Sequence, residues 1–504
     1  MNHFSGMTRR EFARLIGTAS ALGVLEPQLV TMALADNKRS LNYLANRTAG
    51  AEGNWELKKI EGKVPKALNG TLIRTAPGQK ETFGVPLQHL FDGDAYLSKL
   101  TFREGKVSLQ ARFLDTPQRV EEQQQKRMLY NEVGTLAPSL PEGYNRKYRG
   151  KNQPSVNIIR WDGRYLGLSE GGPPVEIDPN TLGYKSEWNF YGTLPGDVPF
   201  TAHPKFDPVT GEGYAYGIKR GMGLALTVFR MEKDGKLKQL YSLPQPQYFM
   251  VHDMLLSKDH LIFVMPPVWV EVAKAMSGKV APFQALRFGD EMPTKIVILR
   301  KDGTGKPITI NQPANMVFHN GNAFEKDGKL QFDSILSPDG SVLKAVGSFD
   351  AAEPVKTTPN HLTRLTVDLA KGELVSRNEL EAEVEFPRFD ERLGGTEARY
   401  LYTGGFNGGL SEATAIVKHD LHRRTSKKIQ PAKGRTYAES VFVPQPGKIS
   451  EDQGWLLTLG YDANQDQTFL EIRDAATMDF QARVWAGIHY PLGFHGNFYA
   501  NVPS

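Results

Sequence analysis

The chain has 504 residues, 40% of them apolar, with 61 Lys and Arg against 56 Asp and Glu for a formal net charge of +5. That length allows two or three domains or one large closed β architecture, and the near-balanced charge without long basic runs gives no nucleic-acid footprint. Cysteine is absent, which excludes disulfides, iron–sulfur clusters, thiolate-bound zinc and cysteine nucleophiles, so any metal has to be held by His and carboxylates.

The chain opens on an address. "TRREFARLIGTASALGVLEPQLVTMALA" carries Arg9 and Arg10 followed by Phe12, a moderately apolar run from Leu15 to Leu25 and an Ala33-Leu34-Ala35 cleavage pattern. The paired arginines resemble a twin-arginine export signal over residues 1–35, with a Sec-type signal or an amphipathic helix as the alternatives. Beyond it no stretch approaches the roughly 20 apolar residues of a membrane span. The expected mature protein is a single domain over residues 36–504, exported and periplasmic.

From about Leu41 onward short β-rich runs alternate with Gly and Asp turns: "TLIRTAPG", "SVNIIRWDGRYLGLSEGG", "LTVFRMEKDGKLKQLYSL", "HLIFVMPP", "IVILRKDGTGKP", "AFEKDGKLQFDSILSPDGSVLKAVG" and "GWLLTLGYDA". Several flank a D-G pair, the residues a two-residue hairpin turn needs. Helical spacing is confined to the signal, "TPQRVEEQQQKRMLY" (116–130) and "PVWVEVAKAM" (267–276). Unbroken antiparallel hairpins over most of the chain fit an all-β propeller; a pair of β-sandwiches is the alternative.

Four histidines stand in crowded β-type contexts, His203 in "FTAHPKFDP", His252 in "YFMVHDMLL", His319 in "MVFHNGNAFE" and His495 in "YPLGFHGNF". Their spacings of 49, 67 and 176 residues are too wide for one helix or loop but suit inner strands of different blades. Each alone reads as a hydrogen-bonded structural histidine. Together they suit a divalent iron, copper, nickel or zinc ion, all of which take imidazole. Four neutral ligands leave the charge of the ion uncompensated, so carboxylates should orient the rings by accepting their free N–H. Glu170 in "LGLSEGG", Glu385 in "EVEFPRF" and Glu439 in "TYAESVFVPQPG" are the isolated acids available. Asp92 and Asp94 in "HLFDGDAY" read as a tight turn, His419 and His422 in "HDLHRR" as a solvated turn, and His89 and His489 as structural.

"LNGTLIRTAPG", "HLFDGDAY", "AHPKFDP", "VHDMLL", "FHNGNAFE", "EFPRFD", "AESVFVPQPG" and "YPLGFHG" occur in order over nearly the whole chain after the signal. In these motifs the chain resembles the carotenoid cleavage oxygenases, a family that includes apocarotenoid and lignostilbene dioxygenases and the retinal-pigment-epithelium isomerase. The resemblance implies a seven-bladed β-propeller with a helical and loop dome over the metal-bearing face. It implies one Fe(2+) per chain on His203, His252, His319 and His495, with Glu170, Glu385 and Glu439 orienting three of the rings. The implied partners are O2 and an apolar polyene or stilbene, cleaved at one C=C bond to two carbonyl products with no side-chain acid, base or nucleophile. A non-catalytic exported propeller that holds a metal or ligand is the reading from a different class.

Two departures bear on substrate. Lignostilbene-type members carry a Tyr and a Lys that contact the phenol; Arg119 and Glu132 stand at or near those places here, which tilts the expectation toward an apocarotenoid. Val156 stands where several members have a Thr close to the iron. Val156, Trp269 and Met276 are the substrate-tunnel candidates, and "FVMPPVWVEVAKAM" (263–276), with Val268, Trp269, Val272, Ala273 and Met276 at near-helical spacing, is the candidate for peripheral membrane contact.

Overall fold

The computed structural model describes residues 40–500 apart from 222, 247–248, 349–354 and 407–413. The export signal lies outside the described residues. Seven antiparallel sheets of four or five strands form a seven-bladed β-propeller, accompanied by two two-stranded ribbons. In chain order the blades span 53–113, 157–187, 205–244, 255–312, 320–382, 384–429 and 435–485.

Turn chemistry builds the hairpins. Asp162-Gly163 and Asp327-Gly328 both have positive φ at the two central residues, between the cross-strand pairs Trp161–Arg164 and Lys326–Lys329. Two consecutive positive φ values define the turn whose twist matches the strands it joins. Strands inside a blade are covered on both faces by the neighbouring blades, so Gly454–Asp462 is buried at every position. Outermost strands such as Thr425–Ile429 are exposed and polar. That is why interior strands read as apolar runs rather than as alternation.

The ring is closed twice. Gly496–Tyr499 pairs with Gly70–Pro77 at the inner edge of the first blade, and Ile60–Gly62 pairs with Phe480–Trp485 at the outer edge of the last. Each closing strand covers the strand that would otherwise end its sheet.

Long connections between the strands carry the short helices. The helix Pro117–Gln125 is capped by Thr116, whose side chain accepts from the Arg119 N–H. Val268, Met316, Phe318, Val342, Leu343 and Val346 form an apolar cluster against Leu90, Phe91, Phe283 and Phe288, which binds these connections into one cap. No described helix is long and apolar enough to cross a membrane.

Three expectations need correction. Residues 267–276 are not one helix: Val268–Val270 is a strand paired with Leu286–Phe288, and only Val272–Met276 is helical, because Pro266 and Pro267 enter an extended segment. His419 is not in a solvated turn; it is buried on the strand Ala415–Asp420, its ring bonded to Thr403 and Ser426. Asp92 and Asp94 do flank a turn glycine with φ of 117°, but both carboxylates are buried and do more than shape it. Asp92 accepts from the Gly134 N–H and the Thr135 hydroxyl, and Asp94 pairs with Arg119 and Lys151.

Candidate metal centre

Each of the four histidines sits at the mouth of an inner strand. His203 precedes Lys205–Phe206, His252 precedes Leu255–Leu256, His319 precedes Asn320–Lys326 and His495 precedes Gly496–Tyr499. Neighbouring inner strands converge on the propeller axis, so residues far apart in sequence arrive together. Irregularities aim the side chains: the strand register shifts between Asn320 and Ala323, between Glu385 and Arg388, and between Tyr437 and Ser440. Bulges of this kind turn a side chain out of the regular alternation.

Glycine gives the last strand its approach. A Cβ on Gly493, where φ is 66°, would lie 2.6 Å from the Thr75 carbonyl, and one on Gly496 would lie 2.3 Å from Arg74 Cγ. Only a bare backbone fits this close to the first blade on either side of His495.

The ligand atoms of His203, His252, His319 and His495 all lie within 4.8 Å of one another, and all four residues are buried. His203 Nε2 is 3.1 Å from His252 Nε2, and His319 Nε2 is 3.0 Å from His495 Nε2. On the outer side of the rings, His319 Nδ1 is 2.7 Å from Glu385 Oε2 and His495 Nδ1 is 2.9 Å from Glu439 Oε1. His252 Nδ1 is 2.9 Å from Glu170 Oε1, an ion-pair distance at an angle unsuited to a hydrogen bond. All three acids anticipated from the sequence therefore meet histidines.

This arrangement fits a metal. Carboxylates on Nδ1 fix the proton there and leave the Nε2 lone pairs facing inward. Facing lone pairs about 3 Å apart repel, and a cation between them turns repulsion into coordination. His203, His252, His319 and His495 would hold such an ion through these inward-facing nitrogens.

Burial, then the three other imidazoles and Lys205, holds His203 well below the usual imidazole range. Burial also takes His495 down to about 4, against the opposing pull of Glu439. For His252 burial acts downward too, but Glu170, Asp253 and Glu385 together outweigh it and the value is raised. His203 and His495 are thus neutral, the ligand form, at neutral pH.

The sequence reading missed what holds Glu439. Its Oε2 is 3.4 Å from Arg74 Nη1 and its Oε1 is 3.5 Å from Arg388 Nη1. Burial pushes Glu439 upward, but Arg388, His495 and Arg74 together bring it down to about 2. Arg74 also donates to the carbonyls of Leu492 and Phe494, gripping the segment that carries His495. The available signal was an arginine in the middle of the apolar run "TLIRTAPG", a position that burial forbids unless the charge is paired.

The substrate-tunnel candidates are scattered. Val156 is half-buried beside the centre, and its carbonyl accepts from the His495 N–H at 3.3 Å. Trp269 is half-buried in the cap ribbon, where a Cβ on Gly289 would strike its ring at 2.7 Å. Met276 is 82% exposed and lies on the outer surface. Arg119 pairs with Asp94 at 2.8 Å and Glu132 with Lys151 at 2.9 Å, so both are committed to protein partners.

Residues 46–500 match the family model described as retinal pigment epithelial membrane protein. The chain belongs to that family, the carotenoid cleavage oxygenases. Among its relatives in the family, the apocarotenoid-15,15'-oxygenase of Synechocystis is 31% identical over 89% of this chain and 94% of its own. Resveratrol cleavage oxygenase 1 of Aspergillus fumigatus is 26% identical over 89% and 93%. The crystal structure of the cobalt-substituted Synechocystis enzyme superposes with a TM-score of 0.83 at 29% identity, covering 92% of this chain and all of that one. The carotenoid cleavage oxygenase propeller expected from the motifs is the fold observed.

Proposed function

We propose that this chain is an iron(II)-dependent oxygenase that splits one C=C bond of an apocarotenoid-like polyene with O2. Each former alkene carbon leaves as a carbonyl, so both atoms of O2 are accounted for in the two products. The convergence of four buried imidazoles, His203, His252, His319 and His495, in a chain 31% identical to an apocarotenoid oxygenase carries this reading. Cobalt substitution in the Synechocystis structure supports a site of this kind accepting a divalent first-row metal.

Iron bound there would supply the position at which O2 is taken up and activated. The chain provides everything around it. Four Nε2 atoms bind, while Glu170, Glu385 and Glu439 hold the rings at their outer nitrogens. Phe318, 5.6 Å from His252, and Phe386, 5.2 Å from His319, cover the centre with apolar rings. Phe494, the residue before His495, packs on Phe91 at 5.1 Å. Such walls exclude water and suit a hydrocarbon substrate.

Stilbene cleavage is the second reading, favoured by the similarity to resveratrol cleavage oxygenase 1. Against it, Arg119 and Glu132 offer no free group to a phenol. Mass analysis of products from a panel of apocarotenals and hydroxystilbenes decides: paired carbonyl fragments from polyenes support the first reading, and fragments from stilbenes alone support the second. No oxygen uptake with any member of the panel would leave a binding propeller.

Two properties of the exported protein belong to the same proposal. Cleavage after residue 35, read by N-terminal sequencing of periplasmic protein, tests export. Val272 and Met276 are 55% and 82% exposed on one short helix, spaced four residues apart and so on one face. They are the groups we assign to contact with a lipid surface that supplies the polyene. Co-sedimentation with liposomes should fall several-fold for Val272→Ser/Met276→Ser; equal pelleting would place membrane contact elsewhere.

A further inference from the structure

The three glutamates hold imidazole rings, but a ring is only as well placed as the main chain that carries it. For His495 one residue does both tasks. Glu439 meets the ring through Oε1 and accepts the N–H of the next residue, Gly496, through Oε2 at 3.3 Å. The other three histidines lie on three successive blades, where Glu170 meets the ring of His252 and Glu385 that of His319. A fourth acid holds the main chain beside His252 and His319 and the Lys205 side chain beside His203.

Asp253 directly follows His252 and is 3% exposed. Its Oδ1 is 2.8 Å from Nζ of Lys205, two residues after His203, and accepts the Met254 N–H at 2.7 Å. Its Oδ2 accepts the N–H of Asn320, the residue after His319, at 2.8 Å. One buried carboxylate thus ties the inner strands of the blades spanning 205–244, 255–312 and 320–382, each at a point within two residues of its histidine. Asn320 is held in turn, its side-chain oxygen accepting from the Ser334 hydroxyl at 2.6 Å.

We infer that Asp253 is a positioning residue for the metal centre, setting the mutual spacing of His203, His252 and His319 through their strands without touching the metal. This rests on the four-histidine site being a metal site. Displacement of a ligand by a fraction of an ångström is enough to weaken a rigid site. The carboxylate matters because it only accepts. An amide in its place has a single accepting oxygen, so either Lys205 or the Asn320 N–H would face an N–H donor.

The test is cobalt(II) titration of metal-free protein followed by visible absorption, with thermal unfolding of the same metal-free samples. Asp253→Asn is expected to remain folded, bind cobalt 10- to 100-fold more weakly, the usual range for residues that orient ligands, and show a changed absorption envelope. Lys205→Met, at a side chain 27% exposed, should shift affinity and envelope in the same direction by less. Wild-type affinity and envelope in Asp253→Asn, even with a lowered unfolding temperature, would overturn the inference and leave Asp253 a brace of the fold. Should Asp253→Asn fail to fold, Lys205→Met decides on the same two readouts. Failure of the wild type itself to bind cobalt would overturn the metal reading first, and this inference with it.

Discussion

Glu439 and Glu170 meet histidine nitrogens at the same 2.9 Å but in different surroundings. The Glu439 side chain is 1% exposed between two arginines, whereas that of Glu170 is 37% exposed. Neutralising a charge whose buried partners remain costs about 3–5 kcal/mol, and the cost falls where one member of the pair, as Glu170 does, keeps contact with solvent. Glu439→Gln should therefore lower both stability and metal affinity, and Glu170→Gln should lower metal affinity with little loss of stability. Urea unfolding of the metal-free variants separates them; equal stability losses would refute the distinction. The histidines and their acids were legible because each stands alone in an apolar or small-residue context. Arg74, Arg388 and Asp253 were not, since their roles depend on partners 365, 51 and 67 residues away. His419 was misread for a related reason: charges at its neighbours suggested solvent, while Lys418 and Asp420 are themselves largely buried and paired with the distant Asp452 and Arg399.

The helix Pro117–Gln125 has a polar buried face, and its companion is the connection leading to Val156. Lys151 Nζ lies 2.7 Å from Asp94, 2.8 Å from Glu122 and 2.9 Å from Glu132, all nearly inaccessible to solvent. Glu122 also accepts the N–H groups of Leu129 and Tyr130, so this cluster fastens the connection to the first blade. Burial first, with Asp92 and Asp94 adding to it and Lys151 opposing, raises Glu132 from 4.5 to about 7. A raised carboxyl pKa means that the folded protein holds a proton the unfolded chain has already lost. Its contribution is complete below about pH 4.5 and is lost as pH rises through about 7, on the order of 3 kcal/mol in all. Glu132→Gln keeps the neutral form at every pH. Its stability relative to wild type should rise between pH 5 and pH 8, measured as urea midpoints; a difference independent of pH would contradict this. The helix itself was legible from its spacing, although the expected 116–130 overran its end at Gln125, whereas Val268–Val270 was taken for helix. A short apolar run has no period of its own, and its strand partner, Leu286–Phe288, lies beyond the local window.

At the scale of the whole molecule, the propeller was legible because D-G hairpins recur along the chain, and the metal site because four separated motifs demand a shared axis. Ring closure was not legible. The pairing of Ile60–Gly62 with the last blade and of Gly496–Tyr499 with the first joins segments more than four hundred residues apart, for which no local pattern exists. That closure brings His495 to the other three histidines, so metal binding and the closed ring stand together. The most direct measurement takes iron-reconstituted wild type and His495→Ala through metal analysis and polyene turnover on the same samples. The expected result is about one iron per wild-type chain with two carbonyl products, and loss of both in a folded His495→Ala. Wild-type activity in that variant, or turnover by wild type free of metal, would contradict the four-histidine centre.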